Sequence, residues 1–152
     1  MGAEDRLAEL RLELPPASKP VATYVTALRV GGMLYVSGHG PLRSDGTMIT
    51  GRLGDELDVP AGMAAARQTG LAILATVRSH LGSLDQVARL IKSLGMVNCT
   101  PDFGDQPKVI NGFSDMMVEL YGENGRHARS AVGMQQLPNN IPVEVEMILE
   151  VE

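Results

Sequence analysis

The stretch PVEVEMILEVE (142–152) decides the fold class. Val143, Val145, Met147, Leu149 and Val151 alternate with Glu144, Glu146, Ile148, Glu150 and Glu152. That is the period of a β-strand with one apolar and one mostly acidic face. The apolar face needs cover, and the chain offers two helices to provide it. In PAGMAAARQTGLAILATVRSHL (60–81), Pro60 suits a first turn, Asp58 a cap and Gly82 a stop. Ala64, Ala65, Leu71, Ala72, Leu74, Ala75 and Val77 give it a small-residue face suited to close packing on a sheet. In QPKVINGFSDMMVELYG (106–122), Val109, Ile110, Phe113, Met116, Met117 and Leu120 recur at helical spacing, and a glycine at 122 or 125 ends the run.

Four further segments read as strands. YVTALRV (24–30) and MLYVSG (33–38) flank Gly31-Gly32 as a hairpin. QVARLIKSLGMVNC (86–99) carries an interior Gly95, the sign of a bulge or a close approach. ARSAVGMQQ (128–136) is joined to the final strand by LPNNI. The order ββαβαββ predicts an α+β domain with two helices on one face of a mixed sheet. Read as a simple hairpin, LPNNI would pair Arg129 near residue 150, leaving Glu144 about 20 Å away along the strand at ~3.3 Å per residue. Residues 38–58 are turn-rich. Residues 4–12 read as a short helix, and Pro15, Pro16 and Pro20 set residues 1–20 apart as an extension to a domain spanning 21–152.

Composition narrows the function classes. The 152 residues suit one domain. Aromatic residues make up 3% and there is no Trp, so the core is aliphatic, with nine Met filling gaps. The net charge of −5 and the absence of a basic run argue against nucleic acid as a partner. The acidic N-terminus lacks the pattern of a signal peptide, position 6 is not Ser or Thr, no apolar run approaches bilayer length, and Cys99 is the single cysteine. The expectation is a cytoplasmic protein that does not engage membranes.

The chemistry is sparse. His39, His80 and His127 have no metal-ligand spacing to each other or to Cys99, so no metal site is expected. There is no Walker loop, no dinucleotide fingerprint and no GxSxG elbow. Cys99 reads as a buried small apolar residue. Arg129, Glu144, Tyr24, Asn111 and the Ser37-Gly38 turn remain. Singly, each has a plain explanation: a solvated strand end, an outward-facing acid, a packed tyrosine, an exposed helix polar group and a turn.

Together, the segments ATYVTALRVGGMLYVSGHGPL, DFGDQPKVINGFSDMMVELYG, GRHARSAVGMQQLP and PVEVEMI resemble the RidA family, also called YjgF or L-PSP endoribonuclease-like, from about residue 20 onward. The N-terminal helix looks like the extension of a longer-chain branch. The resemblance implies a chorismate-mutase-like fold assembled as a homotrimer, with clefts between subunits and no cofactor. It implies hydrolysis of 2-aminoacrylate- and 2-iminobutanoate-type intermediates to 2-keto acids and ammonia. Arg129 then matches the arginine that holds the substrate carboxylate, and Glu144 the acid associated with water or proton handling. Tyr24, Ser37, Gly38, Asn111 and Ala131 match substrate-lining positions. Two departures stand out: His39 where the family commonly has Gln, and Ala131 where it often has Cys. A non-catalytic trimer that binds small carboxylates and regulates a partner enzyme is the second function class.

Overall fold

The computed structural model describes all 152 residues. Its sheet comprises β1 (Ala27–Val30), β2 (Met33–His39), β3 (Val87–Asn98), β4 (Ala128–Met134) and β5 (Val143–Val151). The helices are α1 (Ala3–Glu9), α2 (Val59–Leu81) and α3 (Gln106–Tyr121). Strand order is β1-β2-β5-β3-β4. β5 runs antiparallel to both β2 and β3, whereas β4 is parallel to β3. The chain is thus the expected α+β fold with a mixed sheet.

One expectation fails. β4 and β5 do not form a hairpin: β4 lies on the sheet edge and β5 inserts between β2 and β3. The connection LPNNI makes a 3-10 turn in which Asn139 and Asn140 both adopt φ 57°, a left-handed conformation that Asn tolerates better than most residues. Fully buried Asn98, at the end of β3, gathers that turn. Its Nδ2 donates among Gln136 Oε1 (2.9 Å), Asn140 Oδ1 (3.0 Å) and the Ile141 carbonyl (3.1 Å). The chain is thereby carried past the end of β3 instead of folding back on β4. Arg129 consequently pairs with Ser93, which lies opposite Met147 and not near residue 150.

The period-2 reading of the last strand holds. Val143, Val145, Met147, Leu149 and Val151 are buried toward α2 and α3. With Leu34, Val36, Ile73, Ile110 and Phe113 they belong to one continuous core. Burying each large aliphatic or aromatic side chain contributes about 1.5–3 kcal/mol. The Asp58 carboxylate caps α2 by accepting from Ala61 N (3.0 Å), and Gly82 closes it at φ 84°. Gly95 marks a close approach: a Cβ there would lie 2.7 Å from Ile110. The N-terminal segment packs onto the body, with Ala3 and Leu7 in the core and Glu4 paired with Arg78.

His39 turns inward at a bulge in β2, 5% exposed. Its Nδ1–H donates to the Ser37 carbonyl (2.6 Å), so in the neutral ring Nε2 accepts from the Thr76 hydroxyl (2.8 Å). Burial pulls its pKa below the ordinary histidine value, against a smaller opposing effect of the Ser37 bond. The depressed folded-state pKa sets the sign: this contribution to stability is complete above the unfolded-state value of about 6.5 and is lost as pH falls. Denaturant midpoints from pH 7.5 to 5 should fall less steeply in His39→Gln than in wild type.

Candidate functional site

The sequence-predicted site residues fall into two groups on opposite faces of the sheet. Arg129, on edge strand β4, points to the helix face. Its Nη1 donates to Asn111 Oδ1 (2.9 Å) and Ser114 Oγ (3.1 Å), and Nη2 reaches the Pro107 carbonyl at 3.4 Å. Asn111 and Ser114 lie three residues apart on α3, which puts both acceptors on one side of the helix. The chain's ion pairs join Arg6–Glu9, Arg67–Glu119, Arg78–Glu4, Lys108–Asp105 and Arg126–Glu123; none involves Arg129. Nε of Arg129 donates to no acceptor in the chain. The Nε–Nη2 edge of a planar cation is therefore held in place and left without a counter-charge. Ala131 shares the Arg129 face two residues on and packs against the core. A cleft of about 210 Å³ opens beside the guanidinium, lined also by Asn111, Ser114, Asp115 and His127.

Glu144 alternates away from the core onto the open face of β5 and is half-buried. Its carboxylate accepts no hydrogen bond and sits against Gly38, where any Cβ would collide with Oε2. Burial, reinforced by Glu146, raises its pKa above the usual carboxylate value. Such a group is better suited to trading protons near neutrality than an ordinary surface acid. Ser37 donates through Oγ to the Val25 carbonyl (2.6 Å), fixing the bend that carries Tyr24. Tyr24 and Ser37 line an apolar hollow of about 680 Å³ on the open face, together with Leu28, Tyr35, Leu94 and Ile148.

Arg129 and Glu144 lie three residues along and two strands across the sheet, about 14 Å apart at ~3.3 Å per residue and ~4.8 Å per strand. They point to opposite faces, and Glu144 does not line the cleft beside Arg129. The sequence reading missed Ser114 and His127, which touch or flank the guanidinium. The signals available were the three-residue spacing of Asn111 and Ser114, and the two-residue spacing of His127 and Arg129.

Residues 4–151 match the family model described as "YjgF/chorismate_mutase-like, putative endoribonuclease". The chain belongs to this YjgF/chorismate-mutase-like family. The matched span begins inside α1. Among curated relatives, Protein TCP17 of Trypanosoma cruzi is 42% identical, over 95% of this chain and 91% of its own length. A 2-iminobutanoate/2-iminopropanoate deaminase of Dermatophagoides farinae is 29% identical, over 93% of this chain and 95% of its own. Among solved structures, Atu1372 of Agrobacterium tumefaciens, a protein of unknown function, superposes with TM-score 0.89 at 42% identity, covering 98% of this chain and 91% of that one.

No three His, Cys, Asp or Glu side chains of this YjgF-family chain converge as metal ligands. No helix is long and apolar enough to cross a membrane.

Proposed function

We propose that the chain is a deaminase of reactive imines and enamines whose substrate carboxylate is gripped by Arg129. The observation that carries this reading is the Arg129 guanidinium, tied through Nη1 to Asn111 and Ser114, with Nε unpaired, Nη2 held only by a 3.4 Å contact to the Pro107 carbonyl, and no carboxylate on its Nε–Nη2 edge. A carboxylate fits such an edge with two parallel, charge-assisted hydrogen bonds. The D. farinae deaminase relative supplies the reaction class.

In the chemistry proposed, water adds to the imine carbon of a 2-imino acid while Glu144 accepts the water proton. Glu144 returns that proton to nitrogen to give a carbinolamine, and the carbinol hydroxyl then passes its own proton through Glu144 to the nitrogen as the C–N bond breaks, leaving a 2-keto acid and ammonia. An enamine such as 2-aminoacrylate is first protonated on its terminal carbon. The apolar open face, with Leu28 and Val30 each more than half exposed, favours burial against further copies of the chain. In a homotrimer, Glu144 of one copy would face Arg129 of its neighbour across a cleft. The net charge of −5 weighs against a phosphodiester substrate.

The opposite-face placement supports one second reading: a single chain holds a carboxylate grip without the Glu144 carboxylate beside it. That is the arrangement of a non-catalytic carboxylate binder. A mixing experiment separates the two. Imines are generated with an amino-acid oxidase, and keto-acid release is measured above the spontaneous rate. Arg129→Ala and Glu144→Gln should each be inactive alone. Co-refolded at equal amounts, they should regain about a quarter of native activity, because random assembly rebuilds that share of sites from two intact halves. No recovery on mixing would sink the shared cleft, and no acceleration by wild type would favour the binder.

A further inference from the structure

Within that reading, we propose that His127, acting through Ser114, is a positioning residue that fixes the carboxylate-binding edge of Arg129. The hydrogen bonds run in one direction only. His127 contacts the Gly125 carbonyl through Nδ1 at 2.7 Å, and a carbonyl only accepts, so Nδ1 carries the proton. In the neutral ring Nε2 is then an acceptor, and its partner at 3.1 Å is the Ser114 hydroxyl. With its proton spent on Nε2, Ser114 Oγ presents lone pairs to Arg129 Nη1 at 3.1 Å. The second Nη1 proton goes to Asn111.

The histidine is itself immobilised. Its ring stands edge-on to fully buried Phe113, with centroids 5.8 Å apart and planes at 73°. The carbonyl it bonds belongs to a 3-10 turn seated on α3, since a Cβ at Gly125 would strike the Met117 backbone. Arg126, Arg129 and Asp115 share one cleft with His127, and Arg89 and Glu150 line the cleft on its other side. Burial, with a smaller push from Arg129, lowers its pKa and favours the neutral ring the relay needs; the Gly125 bond opposes this in part.

An arginine on an edge strand otherwise samples many rotamers, and each one frozen in advance spares entropy on binding. The relay therefore acts on affinity for the carboxylate, not on the chemical step. Without His127, the Ser114 proton has no acceptor there and the hydroxyl is free to turn its donor toward the guanidinium.

The test uses 2-oxobutanoate, a stable 2-keto acid, titrated calorimetrically into the intact protein. Ser114→Ala and His127→Phe, the latter keeping the ring packing without the acceptor, should each weaken binding roughly tenfold, the size expected for a hydrogen bond to a charged group. Ser114→Thr, which keeps the hydroxyl, should restore wild-type affinity. In the imine assay the same variants should raise KM and spare kcat. Guanidinium NMR of the ligand-free protein should show hindered rotation at Arg129 in wild type and Ser114→Thr, and averaging in the other two. Unchanged affinity in Ser114→Ala and His127→Phe, where Arg129→Ala abolishes binding, would overturn the relay and leave the carboxylate grip standing. Native affinity in Arg129→Ala would overturn the grip itself, and the guanidinium signals would then decide the relay alone.

Discussion

Arg129→Ala is expected to lower kcat/KM for 2-iminobutanoate by roughly 10²–10⁴-fold, since two charge-assisted hydrogen bonds at about 1.5–3 kcal/mol each are lost and 1.4 kcal/mol is a factor of ten. Arg129→Lys should fall nearly as far, although it preserves the charge. An ammonium is a point donor: it cannot bond Asn111 and Ser114 with one end and offer a flat two-donor edge with the other. The fold should tolerate both changes. Arg129 lies on an edge strand, is partly exposed and holds no ion pair in place, so the thermal midpoint should move by only about 2 °C. Steady-state kinetics beside a thermal melt checks both halves. A variant with native kcat/KM would remove Arg129 from the site, and one with a collapsed melt would recast it as a structural residue.

The contrast between what the sequence disclosed and what it withheld follows from range. β5 was legible because alternation is a local signal that burial of one face enforces. The ends of α2 were legible because capping is local: the Asp58 carboxylate and the left-handed Gly82 sit where the residue types predict. Strand order was not. LPNNI has the length of a hairpin link, and what diverts it is Asn98, some forty residues upstream in sequence, whose amide gathers Gln136, Asn140 and Ile141. A usable signal existed: β3, α3 and β4 follow one another as strand, helix and strand, the order of a parallel pair with a crossover helix. The parallel pairing leaves β5 free to enter between β2 and β3.

The site was legible only in part, and for a related reason. Arg129 and Asn111 meet through the crossover, so a helix–strand contact within the chain unites residues that resemblance alone groups. Glu144, Gly38, Ser37 and Tyr24 share the other face, where the sheet has no helix to cover it. No local pattern says which face of an edge strand its arginine will choose. In the sequence His127 reads only as a candidate metal ligand and not as a hydrogen-bond acceptor, because its partner Ser114 lies on another element. Its tautomer becomes readable only once Gly125 and Ser114 are placed on either side of the ring.

The largest stability effect is expected from Gly112→Ala, on the face of α3 that meets α2. A Cβ at Gly112 would overlap the Met63 carbonyl oxygen and lie 2.8 Å and 2.9 Å from its carbon and Cα. Those are backbone atoms of a well-packed helix and have no rotamer to escape into. Relief requires the two helices to separate along their length, opening space around Val109, Phe113 and Met116, all fully buried. Against this stands a gain of about 1 kcal/mol from the better helix propensity of alanine. Overpacking against rigid backbone costs about 3–5 kcal/mol, the upper end for a single substitution, so the overlap wins. The net loss of about 2–4 kcal/mol should lower the thermal midpoint of a domain this size by about 10 °C. Gly70→Ala is the matched control. It is also buried on a helix, but its new methyl would meet the Met116 and Met117 methyl ends and the Phe113 ring edge at 3.2 Å. Methionine tips can swing aside, so this change should stay within about 1 kcal/mol of wild type. Gly112 also has a functional consequence, because its neighbour Asn111 and the nearby Ser114 are the acceptors that seat Arg129. Any displacement of α3 that relieves Met63 moves both acceptors relative to β4. Whatever Gly112→Ala protein remains folded at low temperature should therefore bind 2-oxobutanoate more weakly than Gly70→Ala protein under the same conditions. Equal affinity would mean that the helix crossing and the guanidinium seat are mechanically independent.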